Sequence, residues 1–302
     1  MLKSQLKYGS IYLVIWMNGI VIVDKPKGYT SRDIVNIVGS ILDTKKIGHA
    51  GTLDPIATGV LVLAVGNGLK ILEFINERDK EYIATVKMGI STDTLDISGN
   101  VLTRIENYYV DLEKINKALN SFKGRYEQTV PLYSSVKVGG QRLYKYAREN
   151  KSVELPKRMV EIYDIELLSS NHDEFTFRTV VSKGTYIRSL IRDIGEKIDI
   201  PCTMKELRRT RQGDFPIECA NTMEEIESGN ISFVSLEKTL NELKIVEVDD
   251  YLEKRISNGS ILENRYDEDK IAFKNKDNEI IAIYEVYEKD KNKIKPVKVF
   301  NK

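Results

Sequence analysis

The chain has 302 residues, of which 41 % are hydrophobic and 30 % are charged, and its formal net charge is +1. These values are typical of a folded, soluble protein with one large and one small domain, and they exclude a collagen-like or largely disordered chain. Two cysteines without CxxC spacing and only two histidines argue against a disulfide framework and against a zinc site built from protein ligands. Reduced cysteines and a cytoplasmic location are expected.

The first residues combine lysines with a short apolar run at residues 11–17, as a signal peptide does. No small-residue cleavage site follows, and the chain continues from Met17 directly into a predicted strand, so we interpret residues 1–16 as an upstream extension. No segment has the roughly 20 consecutive apolar residues that cross a bilayer, and no membrane association is predicted.

In chain order, the first predicted elements are a buried strand at residues 20–23, a turn at residues 24–28 and a helix capped by Thr30 or Ser31. The helix has one apolar face, formed by Ile34, Val35, Val38, Ile41 and Leu42. Residues 60–65 are continuously apolar, which predicts a strand buried on both of its faces.

The remaining elements alternate between the two types without a βαβ repeat. Helices are predicted near residues 69–75, 112–122 and 190–198, and strands at residues 82–88, 159–168 and 174–181. From residue 243 onward, short strands with polar turns predict a small β-rich module. The fold class is therefore α+β, with a mixed and largely antiparallel sheet.

One carboxylate stands out, because Asp54 lies in a glycine-rich loop directly before the apolar strand. Pro55 favours an extended backbone at Asp54, and Gly51 and Gly59 allow the chain to bend and another molecule to approach closely. Such a carboxylate can serve as a nucleophile, a base or a metal ligand. An Asp-Pro pair in a glycine-rich loop is more often a turn, and the residues alone leave both readings open.

Three further segments carry candidate functional residues. Tyr82 begins a strand after Lys80-Glu81, although aromatic residues at this position are commonly packing residues. Arg188 lies in Gly-Thr-Tyr-Ile-Arg-Ser near a helix start, where an arginine is ordinarily solvated. The third segment contains Arg208, Arg209 and Arg211 within four residues, and such a run is usually a solvated face.

The near-zero net charge hides a polarised chain. Residues 121–160 have nine Lys or Arg against three acidic residues, residues 178–214 have nine against five, and residues 218–257 have four against ten. The first of these segments also contains Tyr126, Tyr133, Tyr144 and Tyr146, and this mixture suits phosphate contact with stacking on unpaired bases. A mobile, charged surface loop is the alternative interpretation.

Together, Gly-His-Ala-Gly-Thr-Leu-Asp-Pro at residues 48–55, Lys-x-Tyr, Gly-Thr-Tyr-Ile-Arg-Ser and Leu-Arg-Arg-x-x-x-Gly-x-Phe resemble the TruB family of tRNA pseudouridine synthases. The resemblance implies Asp54 as the catalytic residue, Arg188 as its charged partner and, as substrate-binding residues, His49, Tyr82, Tyr186 and Leu207. It also implies that the arginines at residues 208–211 face RNA phosphates and that residues 121–160 grip RNA.

The resemblance divides the chain into a catalytic domain at residues 17–242 and a PUA-like RNA-binding domain at residues 243–302. It implies isomerisation of the uridine at position 55 in the T arm of tRNA by base flipping, by a monomer that needs no cofactor, metal, protein partner or guide RNA. Two alternatives remain open at this point: a non-catalytic tRNA-binding protein or RNA chaperone, and the protein subunit of a guide-RNA-dependent enzyme.

Overall fold

The computed structural model describes residues 18–300, so the predicted extension at residues 1–16 lies outside the described residues. Within this range, no helix combines the length and the apolar character that crossing a membrane requires. The strands of the described chain are β1 (Gly19–Lys25), β2 (Ile47–Ala50), β3 (Thr58–Val65), β4 (Lys80–Met88), β5 (Ile90–Thr92), β6 (Val101–Arg104), β7 (Gly124–Thr129), β8 (Lys137–Val138), β9 (Gln141–Arg142), β10 (Lys157–Ser170), β11 (Glu174–Val181), β12 (Cys202–Gln212), β13 (Phe215–Pro216), β14 (Phe233–Val234), β15 (Lys244–Glu247), β16 (Leu262–Glu263), β17 (Lys270–Lys274), β18 (Ile280–Tyr287) and β19 (Asp290–Val299).

The helices are mostly short and lie between these strands. In the described part of the chain they are α1 (Ser31–Ile41), α2 (Leu72–Glu77), α3 (Leu112–Asn120), α4 (Leu143–Arg148), α5 (Ile187–Ile198), α6 (Met223–Glu227), α7 (Leu236–Thr239) and α8 (Asp250–Ser257). Short 3₁₀ turns at Gly66–Ile71 and Ile217–Cys219 complete the pattern.

The larger sheet has the strand order β14-β1-β3-β12-β4-β11-β10-β7, with β2 added beside β3 and β13 beside β12. Among the described strands, its pairings are antiparallel except for the short parallel contact between β3 and β12. Strands from distant parts of the sequence therefore lie side by side at the centre of the sheet. This juxtaposition brings the loop before β3, the start of β4 and the middle of β12 into one region.

Local sequence accounts for the elements at this centre. The apolar side chains of β3 at residues 60–65 are fully buried, as the continuous apolar run predicts. Strand β4 alternates between buried and partly exposed positions along its whole length. Helix α1 begins at a capping box, in which the Thr30 hydroxyl accepts from Asp33 N and Asp33 Oδ2 accepts from Thr30 N.

One glycine is required where β3 meets β12. Gly59 has a φ of +98°, and a Cβ atom at this position would lie 2.2 Å from the carbonyl oxygen of Arg209. A side chain here would force the two strands apart, because L-residues rarely adopt this φ and the neighbouring atom belongs to the backbone.

A second sheet of five strands, in the order β15-β17-β18-β19-β16, forms the C-terminal part of the described chain. It has its own apolar cluster around Phe273 and Tyr284. Ala272 and Ile283 also pack in a cluster with Ile71 and Phe215 of the larger unit. The predicted fold class, α+β with a largely antiparallel sheet and a small β-rich C-terminal domain, is confirmed.

Several elements lie where the sequence indicated none, and two of them, β12 and α8, are long enough to change the predicted architecture. Strand β12 was expected only as a basic motif, yet it is an eleven-residue central strand. Helix α8 interrupts the predicted run of short strands after residue 243 and begins at an Asp249 side chain that accepts from Leu252 N. Both segments are rich in charged residues, which hides the apolar periodicity on which their prediction depends.

Candidate active site

The Asp54 loop is fixed to the rest of the protein by hydrogen bonds on both sides of the carboxylate. The Ser31 hydroxyl accepts from Leu53 N at 2.9 Å and donates to Leu53 O at 3.2 Å. Gly28 N donates to Pro55 O at 2.8 Å. Both anchoring residues belong to the start of α1 and the turn before it, so the capped helix holds the loop in place.

Asp54 forms an ion pair with Arg188 across 134 residues of sequence. Arg188 Nε lies 2.9 Å from Oδ2, and Nη2 donates to Oδ1 at 3.2 Å, which is a side-on, two-point contact. The Arg188 side chain is 5 % exposed and the Asp54 side chain 35 %. The arginine is thus enclosed, while the carboxylate keeps one side accessible.

Two backbone carbonyls complete the setting of Arg188. Nη1 donates to Thr94 O at 2.7 Å, and Nη2 donates to Tyr133 O at 3.0 Å. The guanidinium is therefore held by three separate segments of the chain. Because a rigid fork of donors matches this geometry and an ammonium does not, lysine is a poor substitute at this position.

Tyr186, two positions before Arg188, is held by a buried glutamine. Gln128 is fully buried on β7; its Oε1 accepts from Tyr186 N at 2.8 Å, and its Nε2 donates to Tyr186 O at 3.1 Å. The guanidinium of Arg158 lies over the Tyr186 ring, 5.1 Å from its centroid. The ring is thus fixed through its backbone and covered by a cation. The sequence carried no signal for Gln128, because its role depends on a strand pairing that brings β7 to the start of α5.

These residues enclose a cavity of about 380 Å³. Tyr82 on β4 and Leu207 on β12 are diagonal neighbours on adjacent strands, since Leu207 pairs with Ala84, and each is 7 % exposed. The wall also includes parts of the Asp54 loop, the start of α5 and the segment before β8. The lining residues are Gly51, Thr52, Leu53, Asp54, Lys80, Tyr82, Tyr133, Ser134, Ser135, Tyr144, Gly184, Thr185, Tyr186, Ile187, Arg188, Leu207 and Arg209.

Five of the six residues singled out from the sequence line this cavity: Asp54, Tyr82, Tyr186, Arg188 and Leu207. The sixth, His49, lies on β2 and is not part of the lining. Burial, followed by the charge of Arg32, lowers the pKa of His49 below its ordinary value. The imidazole is therefore neutral at physiological pH.

Two lysines near Asp54 are buried, although the sequence reading assigned them no role. Lys25 is fully buried and donates to Pro26 O and Tyr29 O, and burial lowers its pKa to about 8. Lys80 lines the cavity, and burial, followed by the charge of Arg209, lowers its pKa to about 8. Lys80 belongs to the Lys-x-Tyr motif, but only the strand pairing shows that it lies beside the cavity.

The prediction that the arginines of β12 face RNA phosphates is wrong for the buried Arg209, and for the partly exposed Arg208 and Arg211 it stays a prediction. Arg209 is 1 % exposed, and its guanidinium donates to Val60 O at 2.6 Å and to Gly51 O at 3.2 Å. Arg208 makes a two-point contact with Asp24, with distances of 3.0 and 2.7 Å. Arg211 makes the same contact with Asp79, also at 3.0 and 2.7 Å. The three guanidinium groups join β12 to its neighbours.

The basic segment at residues 121–160 divides into paired and unpaired cations. Lys123, Arg125, Lys151 and Lys157 each lie within 4.0 Å of a carboxylate. The β8–β9 hairpin and α4 instead have four exposed cations that, in the part of the chain that the structure describes, have no carboxylate within 4.0 Å, namely Lys137, Arg142, Lys145 and Arg148.

The tyrosines of this segment also have different positions. Tyr133 and Tyr144 line the cavity, and Arg148 lies over the Tyr144 ring. Tyr126 packs edge-on against Phe122 beside the core, and burial raises its pKa, so it is a packing residue. Tyr146 donates to Val138 O across the hairpin.

Among residues 18–300, no group of three or more His, Cys, Asp or Glu side chains is arranged to hold a metal ion. Cys202 is buried in the core, which raises the pKa of its thiol to about 12. The cavity lining offers the carboxylate of Asp54, the guanidinium groups of Arg188 and Arg209, the amine of Lys80 and several hydroxyl groups.

Comparison with known sequences places the chain in a family. The profile described as TruB family pseudouridylate synthase (N terminal domain) matches residues 40–187, and that of the tRNA pseudouridylate synthase B C-terminal domain matches residues 188–255. A protein of Clostridium tetani named tRNA pseudouridine synthase B is 42 % identical over 271 residues, which cover 89 % of this chain and 92 % of the relative. The protein of the same name from Bacillus subtilis is 41 % identical over 301 residues, covering 94 % and 97 %.

Solved structures share the fold. A chain from the crystal structure of a Cbf5-Nop10-Gar1 complex superposes with a TM-score of 0.71 at 26 % identity, covering 96 % of this chain and 87 % of that one. A chain from an H/ACA ribonucleoprotein bound to a substrate RNA containing 2'-deoxyuridine gives a TM-score of 0.70 at 24 % identity, with the same coverage.

Proposed function

The chain belongs to the TruB family of pseudouridylate synthases, and from this membership and the geometry of the cavity we infer that it is a tRNA pseudouridine synthase. We propose that its target is the uridine at position 55 in the T arm. The observation that carries the proposal is the accessible Asp54 carboxylate, paired with the enclosed Arg188, in the wall of a cavity with four tyrosine side chains.

The cavity suits a single flipped nucleotide. Its volume of about 380 Å³ lies within the range of roughly 300 to 1,000 Å³ found for small-molecule sites. A base stacked inside an RNA stem-loop cannot reach a carboxylate in the wall of a cavity, so the target nucleotide must leave its stack. Tyr82, Tyr186 and Leu207 offer the apolar and aromatic surface that offsets the loss of stacking.

In the reaction, the bond between N1 and C1′ of the uridine breaks, the uracil rotates, and C5 forms the new bond to C1′. The proton on C5 is lost and N1 gains one, so no oxidant, reductant or second substrate is consumed. Asp54 is the group that acts on the nucleotide. Arg188 orients the carboxylate through its two-point contact, and its backbone partners prevent it from moving with the substrate.

RNA is held outside the cavity by the unpaired cations of the β8–β9 hairpin and α4. Lys137 and Arg142 are opposite each other in the hairpin register, and both side chains are exposed. Like charges directly across a strand pair repel one another, and a phosphate between them removes the repulsion. His49, on the strand that leads into the Asp54 loop, contacts the RNA next to the target nucleotide.

The proposal extends to the organisation of the protein. The catalytic domain comprises residues 17–242, and residues 243–302 form a PUA-like RNA-binding domain. The proposed enzyme acts in the cytoplasm as a monomer. It uses no guide RNA, partner protein or cofactor, because every group that the proposed chemistry uses belongs to this chain.

Pseudouridine mapping on a T-arm stem-loop tests the proposal. The purified protein should convert the uridine at position 55 without added metal or ATP. The Asp54→Asn variant should form no pseudouridine while its affinity for the stem-loop stays within about tenfold of wild type, because the cavity walls and phosphate contacts remain. Absence of product from the wild-type protein overturns the enzymatic function, and full activity of Asp54→Asn overturns the role of the carboxylate.

A further inference from the structure

One hydroxyl group in the wall of the cavity has no hydrogen-bond partner. Ser134 is 6 % exposed, and its Oγ is buried without a donor or acceptor among residues 18–300. Two other side chains contain such atoms, Nδ1 of His49 and both amide atoms of Gln212, but neither residue lines the cavity. Arg188 Nε, the remaining atom of this kind, lies 2.9 Å from the Asp54 carboxylate.

The serine is held in place by its backbone. Ser134 N donates to Leu132 O at 3.0 Å, and Ser134 O accepts from Tyr144 N at 3.1 Å. The preceding residue, Tyr133, is fixed by the hydrogen bond from Arg188 to its carbonyl oxygen. The position of the hydroxyl is thus set by the same guanidinium that orients Asp54, and the side chain does not contribute to that arrangement.

A buried polar group without a partner destabilises the folded state by about 1 to 3 kcal/mol. Alanine at this position would keep the backbone hydrogen bonds and remove the unsatisfied hydroxyl. The folded protein alone therefore gives no reason for a serine here. A ligand in the cavity gives one, because a hydroxyl both donates and accepts and can bind an oxygen or a nitrogen of a nucleotide.

We propose that Ser134 is a substrate-binding residue whose Oγ forms a hydrogen bond to a polar group of the flipped target uridine, on its ribose or on its uracil edge. The proposal rests on the proposed function of the cavity. It adds a polar contact to walls that otherwise act by stacking and by charge. A preorganised, buried hydroxyl discriminates against nucleotides that leave it unpaired.

Single-turnover kinetics and thermal unfolding of Ser134→Ala test the proposal on the T-arm stem-loop. We expect kcat/KM to fall about five- to tenfold, the loss of one hydrogen bond, while the melting temperature stays the same or rises. Ser228→Ala, an exposed serine at the end of α6, is the matched control and should change neither quantity. A residue with a purely structural role would instead lose stability and activity together.

A stem-loop with 2′-deoxyuridine at the target position identifies the bonded group. If Ser134 binds the ribose 2′-hydroxyl, the penalty of the variant disappears on this substrate; if it binds another ribose oxygen or the uracil edge, the penalty persists. Unchanged kcat/KM in Ser134→Ala, or a loss of activity that follows a lowered melting temperature, overturns the proposal. Wild-type protein assayed in parallel keeps this result separate from a failure of the proposed function, in which case wild type forms no product.

Discussion

Two basic regions that the sequence presents as similar differ in their partners. The arginines of β12 at residues 208, 209 and 211 bind carboxylates or backbone carbonyls of other parts of the protein. The cations of the β8–β9 hairpin and α4 are exposed, and no carboxylate among residues 18–300 lies within 4.0 Å of them. The number of positive charges therefore does not identify an RNA-binding surface. What distinguishes the two regions is whether the protein itself already neutralises each charge.

Arg188 is the intermediate case, because its partner is a carboxylate that also faces the cavity. The Arg188→Lys variant keeps the positive charge but loses the two-point contact with Asp54 and the hydrogen bonds to Thr94 and Tyr133. We expect single-turnover pseudouridine formation to slow by about 100-fold, the effect of misplacing a reacting group by about 1 Å.

Stem-loop affinity is measured in the same experiment and should stay near the wild-type value. A rate close to wild type would show that Asp54 needs only a nearby charge and would remove the distinction between Arg188 and an ordinary cation. A large loss of affinity with an unchanged rate would place Arg188 among the phosphate-binding residues.

The burial of Lys80 beside the charge of Arg209 should be detectable as a change in the free energy of unfolding with pH. The pKa of Lys80 is lowered to about 8, from an ordinary value of 10.5, by burial and by Arg209. Between these two values the unfolded chain binds more protons than the folded one, so the free energy of unfolding increases with pH.

Denaturant unfolding of wild type and Lys80→Met at pH 8 and at pH 10 tests this inference. The increase with pH should be smaller in the variant by about 1 to 3 kcal/mol. Lys145→Met, from the exposed face of α4, is the control for removal of a lysine as such. An equal increase in wild type and in Lys80→Met would show that the pKa of Lys80 is not lowered in the folded protein.

The smallest expected effect separates the two regions most simply. Arg142→Gln in the hairpin should lower the slope of log affinity against log salt concentration by about 1, because one phosphate contact is lost. Arg211→Gln should leave that slope unchanged and reduce the free energy of unfolding by at most about 1 kcal/mol, since it removes a partly exposed ion pair with Asp79. Filter-binding titrations over a range of salt concentrations measure both slopes. The reverse pattern would reassign phosphate binding to β12.

Much of the fold follows from local patterns in the sequence. The apolar run of β3, the alternation of β4 and the cap of α1, which was predicted at Thr30 or Ser31 and lies at Thr30, each depend on a few neighbouring residues. Strand β12 was missed because its charged side chains are neutralised by residues more than a hundred positions away. Periodicity cannot reveal such partners.

The site could be predicted only in part for the same reason. The resemblance of short motifs singled out Asp54, Tyr82, Tyr186, Arg188 and Leu207, and these residues line one cavity. Apart from the motif that contains Lys80, nothing in the local sequence around Gln128, Ser134 and Lys80 marks them as parts of the site. Their positions depend on strand pairing and on the segment that closes the cavity. The roles of the cavity residues stay predictions. Each of them assumes that the carboxylate of Asp54 acts on the nucleotide.

Release of the C5 hydrogen tests directly whether Asp54 catalyses the reaction, because C5 of the uridine must lose its hydrogen when it bonds to C1′. A tRNA transcript tritiated at C5 of its uridines is incubated with wild-type protein and with Asp54→Asn at equal RNA occupancy. The account predicts tritium release, limited to the target uridine, from wild type and none from the variant. No release from wild type, or equal release from the variant, would contradict it.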